Sequence, residues 1–193
     1  MQIMIPLESS RFYHIYDRGV NRENIFLEER NYEFFLRLYI RHITPVAETF
    51  AYCLLRNHFH ILVKIQTNPV LTTVSAPKAF NNFLTAYAKA INKAYGRTGA
   101  LFQHHFGRIP IHSDRYFRAL VRYIHHNPSK HGFVKDFRDW PYSSYHTLMM
   151  DESASVEPPD VLLRFGGLRE FRRYHAAPSR EKRIFRFTGN DYD

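Results

Sequence analysis

Two apolar runs, Thr49 to Leu55 and His58 to Gln66, are separated only by Arg56-Asn57, and no other feature constrains the fold of this 193-residue chain as tightly. Two short β-prone runs joined by two polar residues predict a tight hairpin, which commits the sheet to antiparallel pairing from the start. A strand alternates its side chains between faces, so His58, His60, Leu62 and Lys64 project one way and Phe59, Ile61, Val63 and Ile65 the other. The second set is the expected core face. The first stands two imidazoles side by side on rigid backbone. Imidazole is the commonest protein metal ligand, which makes His58 and His60 candidate ligands, although the same spacing also suits a hydrogen-bonded pair.

Elements on either side of the hairpin extend this start. A strand is expected around Arg11 to Asp17, followed by a Gly-Val-Asn turn at Gly19 to Asn21. Tyr32, Phe35, Leu36, Tyr39 and Ile43 recur at helical spacing within Glu28 to Ile43, ahead of Pro45. A second helix is predicted over Pro77 to Tyr95, with Phe80, Phe83, Leu84, Tyr87, Ala88, Ile91 and Tyr95 on one stripe, Lys78, Lys89 and Lys93 on the other face, and Gly96 as its terminator. Phe102 to His112 suggests a further strand and turn. Ser113 or Asp114 then caps a third helix running towards Asn127, with Pro128 ending it. The order strand, helix, strand, strand, helix, strand predicts an α+β class: an antiparallel sheet with helices on one face in the split βαβ, ferredoxin-like (RRM-like) arrangement. Length favours a single domain over residues 1–175, with a mobile loop at Asp151 to Pro159 and a basic tail over 176–193.

Charge narrows the partner. Lysine and arginine number 27 against 18 aspartates and glutamates, a formal balance of +9 before any of the 12 histidines is protonated. Arginines recur beside aromatics, in Arg11-Phe12-Tyr13, Arg115-Tyr116-Phe117-Arg118, Arg122-Tyr123 and Phe171-Arg172-Arg173-Tyr174. That interleaving combines phosphate contacts with stacking surfaces for unpaired bases, so nucleic acid is favoured over an acidic protein. Arg18, Arg22, Lys89, Lys93, Arg97, Arg108, Arg115 and Arg122 are the expected DNA contacts. Cys53, the one cysteine, lies inside an apolar run, which excludes an intramolecular disulfide and fits a buried thiol in a reducing compartment. No run reaches the ~20 apolar residues a membrane span needs and the N-terminus has no basic leader, so no membrane partner is expected and the chain reads as cytoplasmic.

The third predicted helix carries the remaining chemistry. Tyr123 and Asn127 are four residues apart and share one helix face. A tyrosine hydroxyl can act as a nucleophile, and an asparagine amide oxygen is a neutral hard donor able to join two imidazoles around a cation. His125 and His126 are rival ligands. They face other directions from Asn127, which suggests packing or polar rim for His125 and a surface or phosphate-facing role for His126.

At these residues the chain resembles the HUH single-tyrosine transposases, and among them the REP-associated tyrosine transposases. Two histidines around one hydrophobic residue define the family, matched by His58-Phe59-His60 within Tyr52 to Val63. Its nucleophile helix is similar to Tyr123-Ile124-His125-His126-Asn127-Pro128-Ser129-Lys130-His131-Gly132. Further likeness runs through Tyr13 to Asn21, Gly99 to Gln103 and Asp139 to Tyr145, so that it spans roughly Phe12 to Phe165. Where relatives often have Gly-Arg after the glutamine, this chain has His104-His105, with Arg108 slightly later.

The resemblance implies the HUH nuclease fold, Tyr123 as nucleophile, and His58, His60 and Asn127 as ligands of a divalent metal, Mg2+ or Mn2+. It also implies a metal-dependent transposase or endonuclease that cleaves and rejoins single-stranded, hairpin-bearing DNA through a 5′-phosphotyrosine. Two other classes compete. A domesticated, catalytically silent protein gripping hairpin DNA or RNA would need the charge and aromatics without Tyr123. A zinc hydrolase would use some of the histidines, but no acidic general base or cysteine cluster accompanies them. Monomer and homodimer stay open, as does whether Tyr123 meets the histidines of its own chain or of a second copy.

Overall fold

The computed structural model describes residues 5–67, 73–103, 105–150 and 161–178. Its elements are β1 (Phe12–Arg18), α1 (Glu29–His42), β2 (Ala47–Leu55), β3 (His58–Ile65), α2 (Ala76–Ala94), β4 (Gly107–Ile111), α3 (Asp114–Lys130), α4 (Ser144–Met150), α5 (Val161–Phe165) and α6 (Leu168–Ala176). The chain divides into two compact units: residues 1–49 with 54–110, and residues 50–53 with 111–193.

The first unit carries the sheet, whose order is β2-β3-β1-β4. β1 and β3 pair antiparallel, with Arg18 opposite His58, Tyr16 opposite His60 and His14 opposite Leu62. That order and the two-residue Arg56-Asn57 turn are those of a split βαβ sheet, as the element sequence predicts. Phe59, Ile61, Val63 and Ile65 are all buried, as their alternation requires. Phe35 of α1 lies 5.3 Å from the Phe59 ring, and Phe83 and Tyr87 of α2 meet Phe35 edge-on at 4.7 and 5.0 Å. Burial of each such aromatic side chain contributes roughly 1.5–3 kcal/mol, so this cluster is what fixes both helices on one face of the sheet. Gly19 follows β1 where a Cβ would stand 2.0 Å from the Glu23 carbonyl oxygen, a close approach only glycine allows.

The second unit is built on α3. Phe117 meets Phe50 edge-on at 5.8 Å, and the Ser144 hydroxyl accepts from the Tyr52 backbone N–H at 2.9 Å. Three expectations change. Pro128 lies inside α3 rather than ending it: the helix runs on to Lys130 and is closed by His131 N–H to Asn127 O at 3.0 Å. Proline forfeits one backbone donor but leaves the later turns free to form. The strand expected from Phe102 is confined to Gly107–Ile111, because positive φ at Gly99 and His105 bends the preceding chain into a loop. The helices after Trp140 were not anticipated, being short and separated by turns. Cys53 is buried and free. The loop expected at 151–159 and most of the 176–193 tail lie outside the described residues.

Candidate active site

On β3 the pleat sets His58 and His60 on one face with ring centroids 5.3 Å apart. The cross-strand register brings Arg18 and Tyr16 of β1 to that same face. His58 Nδ1 pairs with Asn57 Oδ1 at 2.7 Å, and His60 Nδ1 pairs with His14 Nε2 at 2.9 Å. Each Nδ1 thus has an outer partner, the arrangement in which such a partner fixes the tautomer of a metal ligand. Burial pushes His14 down to about 3, so it stays a neutral hydrogen-bonding partner for His60. His14 escaped the sequence reading. Only the β1–β3 register sets it diagonally across from His60, so the sequence carried no local signal for it.

Tyr16 packs its ring against Gly107 of β4, where a Cβ would come within 2.1 Å of the phenol carbon Cζ. The ring therefore lies over the β4 backbone, 5.0 Å from the His14 ring and 6.0 Å from the His60 ring. Among the described residues no three His, Cys, Asp or Glu side chains form a group able to hold a metal ion. The two imidazoles thus fit a divalent cation only with a further donor of another type, such as an amide or phosphate oxygen.

In the second unit, Ser113 caps α3 by accepting from the Tyr116 backbone N–H at 3.2 Å. Tyr123 is half-buried, with the Lys130 ammonium 5.3 Å from its ring centroid. Asn127, one turn on, is fully buried. Tyr116 is half-buried; its hydroxyl has no hydrogen-bond partner among the described residues, and burial, reinforced by Tyr123, raises its pKa. The metal-ligand and nucleophile candidates are thus each assembled locally, the histidines by strand alternation and Tyr123 with Asn127 by helical spacing.

His126 is turned into the protein, which corrects the phosphate-facing expectation: its ring stacks on Phe137 at 3.9 Å and Nε2 meets the His175 carbonyl at 3.1 Å. His125 is a buried packing residue whose Nδ1 and Nε2 reach His175 Nε2 and Ser144 Oγ, both at 2.9 Å.

The expected DNA contacts fall in different environments. Arg18 is half-exposed beside His58, while Arg22, Lys89, Lys93 and Arg115 are exposed. Arg97 is ion-paired with Glu23 at 2.6 Å. Arg108 is buried, its guanidinium 4.1 Å above the Phe106 ring, and so is not displayed to a backbone phosphate as its sequence position suggested. Arg122 donates to the Ala177 carbonyl, which ties α3 to the end of α6.

No family profile matches the chain. It is 32% identical over 119 residues to the putative REP-associated tyrosine transposase of Haemophilus influenzae, across 58% of this chain and 65% of that protein. The chain therefore spans less than two thirds of that relative. It is 41% identical over 46 residues to the REP-associated tyrosine transposase of Escherichia coli, across 24% of this chain and 28% of that protein. Among solved structures, the REP-associated tyrosine transposase bound to a REP hairpin matches with a TM-score of 0.64 at 20% identity, covering 78% of this chain and 86% of that one. In sequence the chain is similar to REP-associated tyrosine transposases, and its sheet and helices share the fold of the solved one.

Proposed function

We propose that this protein is a divalent-metal-dependent transposase or endonuclease that cuts and rejoins single-stranded DNA beside a hairpin. The observation that carries the reading is the histidine pair on β3, whose Nδ1 atoms are both engaged, with Arg18 on the same sheet face. Proteins similar in sequence bear the name tyrosine transposase, and the structural relative is bound to a hairpin.

Each residue type suits one task. Tyr123 attacks the scissile phosphorus as its hydroxyl proton passes to solvent; the phosphorus–O3′ bond breaks, and O3′ takes up a proton from solvent to become a free 3′ hydroxyl. The product is a 5′-phosphotyrosine, which keeps a phosphoester that another 3′ hydroxyl can attack to restore tyrosine and join a new strand. A phenol is a weak nucleophile at neutral pH, and the Lys130 ammonium over the Tyr123 ring stabilises the negative charge that grows on its oxygen. His58 and His60, with Asn127 as third donor, would hold Mg2+ or Mn2+. Such an ion, when bound, supplies Lewis-acid polarisation of the phosphate. Arg18, fixed opposite His58, offers a guanidinium fork to a non-bridging phosphate oxygen.

The test is incubation with labelled single-stranded hairpin DNA and Mn2+, followed by denaturing electrophoresis. The wild-type chain should form a covalent adduct. Tyr123→Phe should form none while retaining DNA affinity within about twofold, because the ring still packs. An adduct on the Tyr123→Phe protein would remove Tyr123 from the role. Hairpin binding by the wild type without any adduct would replace the reading with that of a silent hairpin-binding protein.

A further inference from the structure

On the helix-covered side of the sheet, away from the histidine face, the first unit holds a cleft of about 390 Å³ between α2 and the loop before β4. That size lies within the range of about 300–1,000 Å³ typical of small-ligand pockets. Its floor contains Asp17, only 6% exposed, whose Oδ1 accepts from the Arg18 backbone N–H at 2.8 Å. Asn92 of α2 donates from Nδ2 to the Gly99 carbonyl at 2.8 Å, which aims its amide and leaves the buried Oδ1 with no hydrogen-bond partner among the described residues. A buried acceptor without a donor is costly, and a ligand bringing an N–H satisfies it. The half-exposed Phe102 lines the cleft, anchored from behind by Phe59 and Tyr87 at 6.2 and 6.1 Å. Lys89, exposed on α2, stands at the rim.

An aromatic face, two oxygen acceptors among the lining residues and a cation at the mouth match the parts of one nucleotide: a ring to stack, N–H donors on its edge, and a phosphate outside. We infer that this cleft is a binding pocket for one unpaired nucleobase carrying an exocyclic amine, adenine, cytosine or guanine rather than thymine. The discrimination follows from the acceptors. An amino group offers two N–H donors, one for Asp17 and one for Asn92 Oδ1, whereas thymine has a single N3–H flanked by two carbonyl oxygens, so satisfying one acceptor turns an oxygen towards the other. Burial raises the Asp17 carboxyl to about 7, and an amine donor beside it compensates the ionised form.

The pocket rests on the single-strand reading above, and the test separates the two. A short oligothymidylate and the same strand with one central adenine, cytosine or guanine would be titrated against the full chain, Asp17→Asn and Thr85→Trp, with a matched duplex as competitor. Thr85 is exposed on α2 and lines the cleft, so a tryptophan there fills the space without altering the acceptors. Wild type should bind each substituted strand about tenfold tighter than the thymine tract. Both variants should bind all four strands alike. Equal affinity for the four strands in wild type, or a preference that persists in either variant, overturns the pocket while leaving single-strand binding intact. Preference for the duplex over every single strand overturns the single-strand reading, and the pocket with it.

Discussion

Replacing Asp17 by Asn should change how stability responds to pH, in a direction the structure fixes. Burial raises this carboxyl from its ordinary 3.8 to about 7, against the opposing pull of the Arg18 and Gln103 backbone N–H groups and the Arg18 charge. A raised carboxyl binds its proton more tightly in the folded chain than in the unfolded one. Its contribution to stability is therefore full below 3.8 and is lost as pH rises to about 7. The gap between those two values, at 1.36 kcal/mol per pH unit, limits the loss to about 4 kcal/mol. Between about pH 5 and about pH 8 the wild-type chain should lose about 2–3 kcal/mol through this one group. Asparagine keeps the shape and an acceptor for the Arg18 N–H but cannot ionise, so Asp17→Asn should lack that part of the slope. Urea unfolding of both proteins at the two pH values isolates the effect, because every other titrating group cancels in the difference of differences. In melting temperature it corresponds to about 5–10 °C for a chain of this size. Identical pH dependence in the two proteins would show that Asp17 is not buried as an isolated carboxyl, and the account of the cleft floor would go with it.

His60→Ala should weaken Mn2+ binding at least tenfold in calorimetric titration and destabilise folding by about 1–3 kcal/mol, since His14 Nε2 loses its partner at 2.9 Å; unchanged metal affinity would refute His60 as a ligand. Gly107→Ala places a Cβ 2.1 Å from the Tyr16 ring and should cost about 1–3 kcal/mol, a penalty that Tyr16→Ala on the same chain should largely remove. Strict additivity in that double-variant cycle would contradict the packing. Ser144→Ala removes the hydroxyl that joins the Tyr52 N–H and His125 Nε2, each at 2.9 Å, and denaturant unfolding should report a loss of about 1–3 kcal/mol. Binding of single-stranded DNA should weaken steeply with salt as phosphate contacts release counterions, and a flat salt dependence would refute the nucleic-acid reading of the +9 balance.

The sheet and its histidine face were legible in the sequence because their causes are local. A two-residue break between apolar runs fixes the hairpin, period-two alternation fixes which side chains share a face, and apolar spacing fixes α1 and α2. Tyr123 and Asn127 were legible as a pair for the same reason, one helical turn apart. Tertiary contacts decided the rest. Only the β1–β3 register brings His14 to His60, since they are 46 residues apart in the chain. Only packing turns Arg108 onto Phe106 and His126 onto Phe137, although both positions carry the polar residues of a solvent face. The helix running through Pro128 shows the same division: proline weakens one hydrogen bond locally, but the buried faces of Leu120, Ile124, Asn127 and Pro128 hold the turn in place. The Asn92 oxygen that has no partner among the described residues lies where α2 meets a loop bent by positive φ at Gly99, so the cleft has no signature in composition or spacing. Periodicity tells which side of an element faces inward; which groups meet there is set by long-range packing, and it was packing that oriented the histidines and opened the cleft.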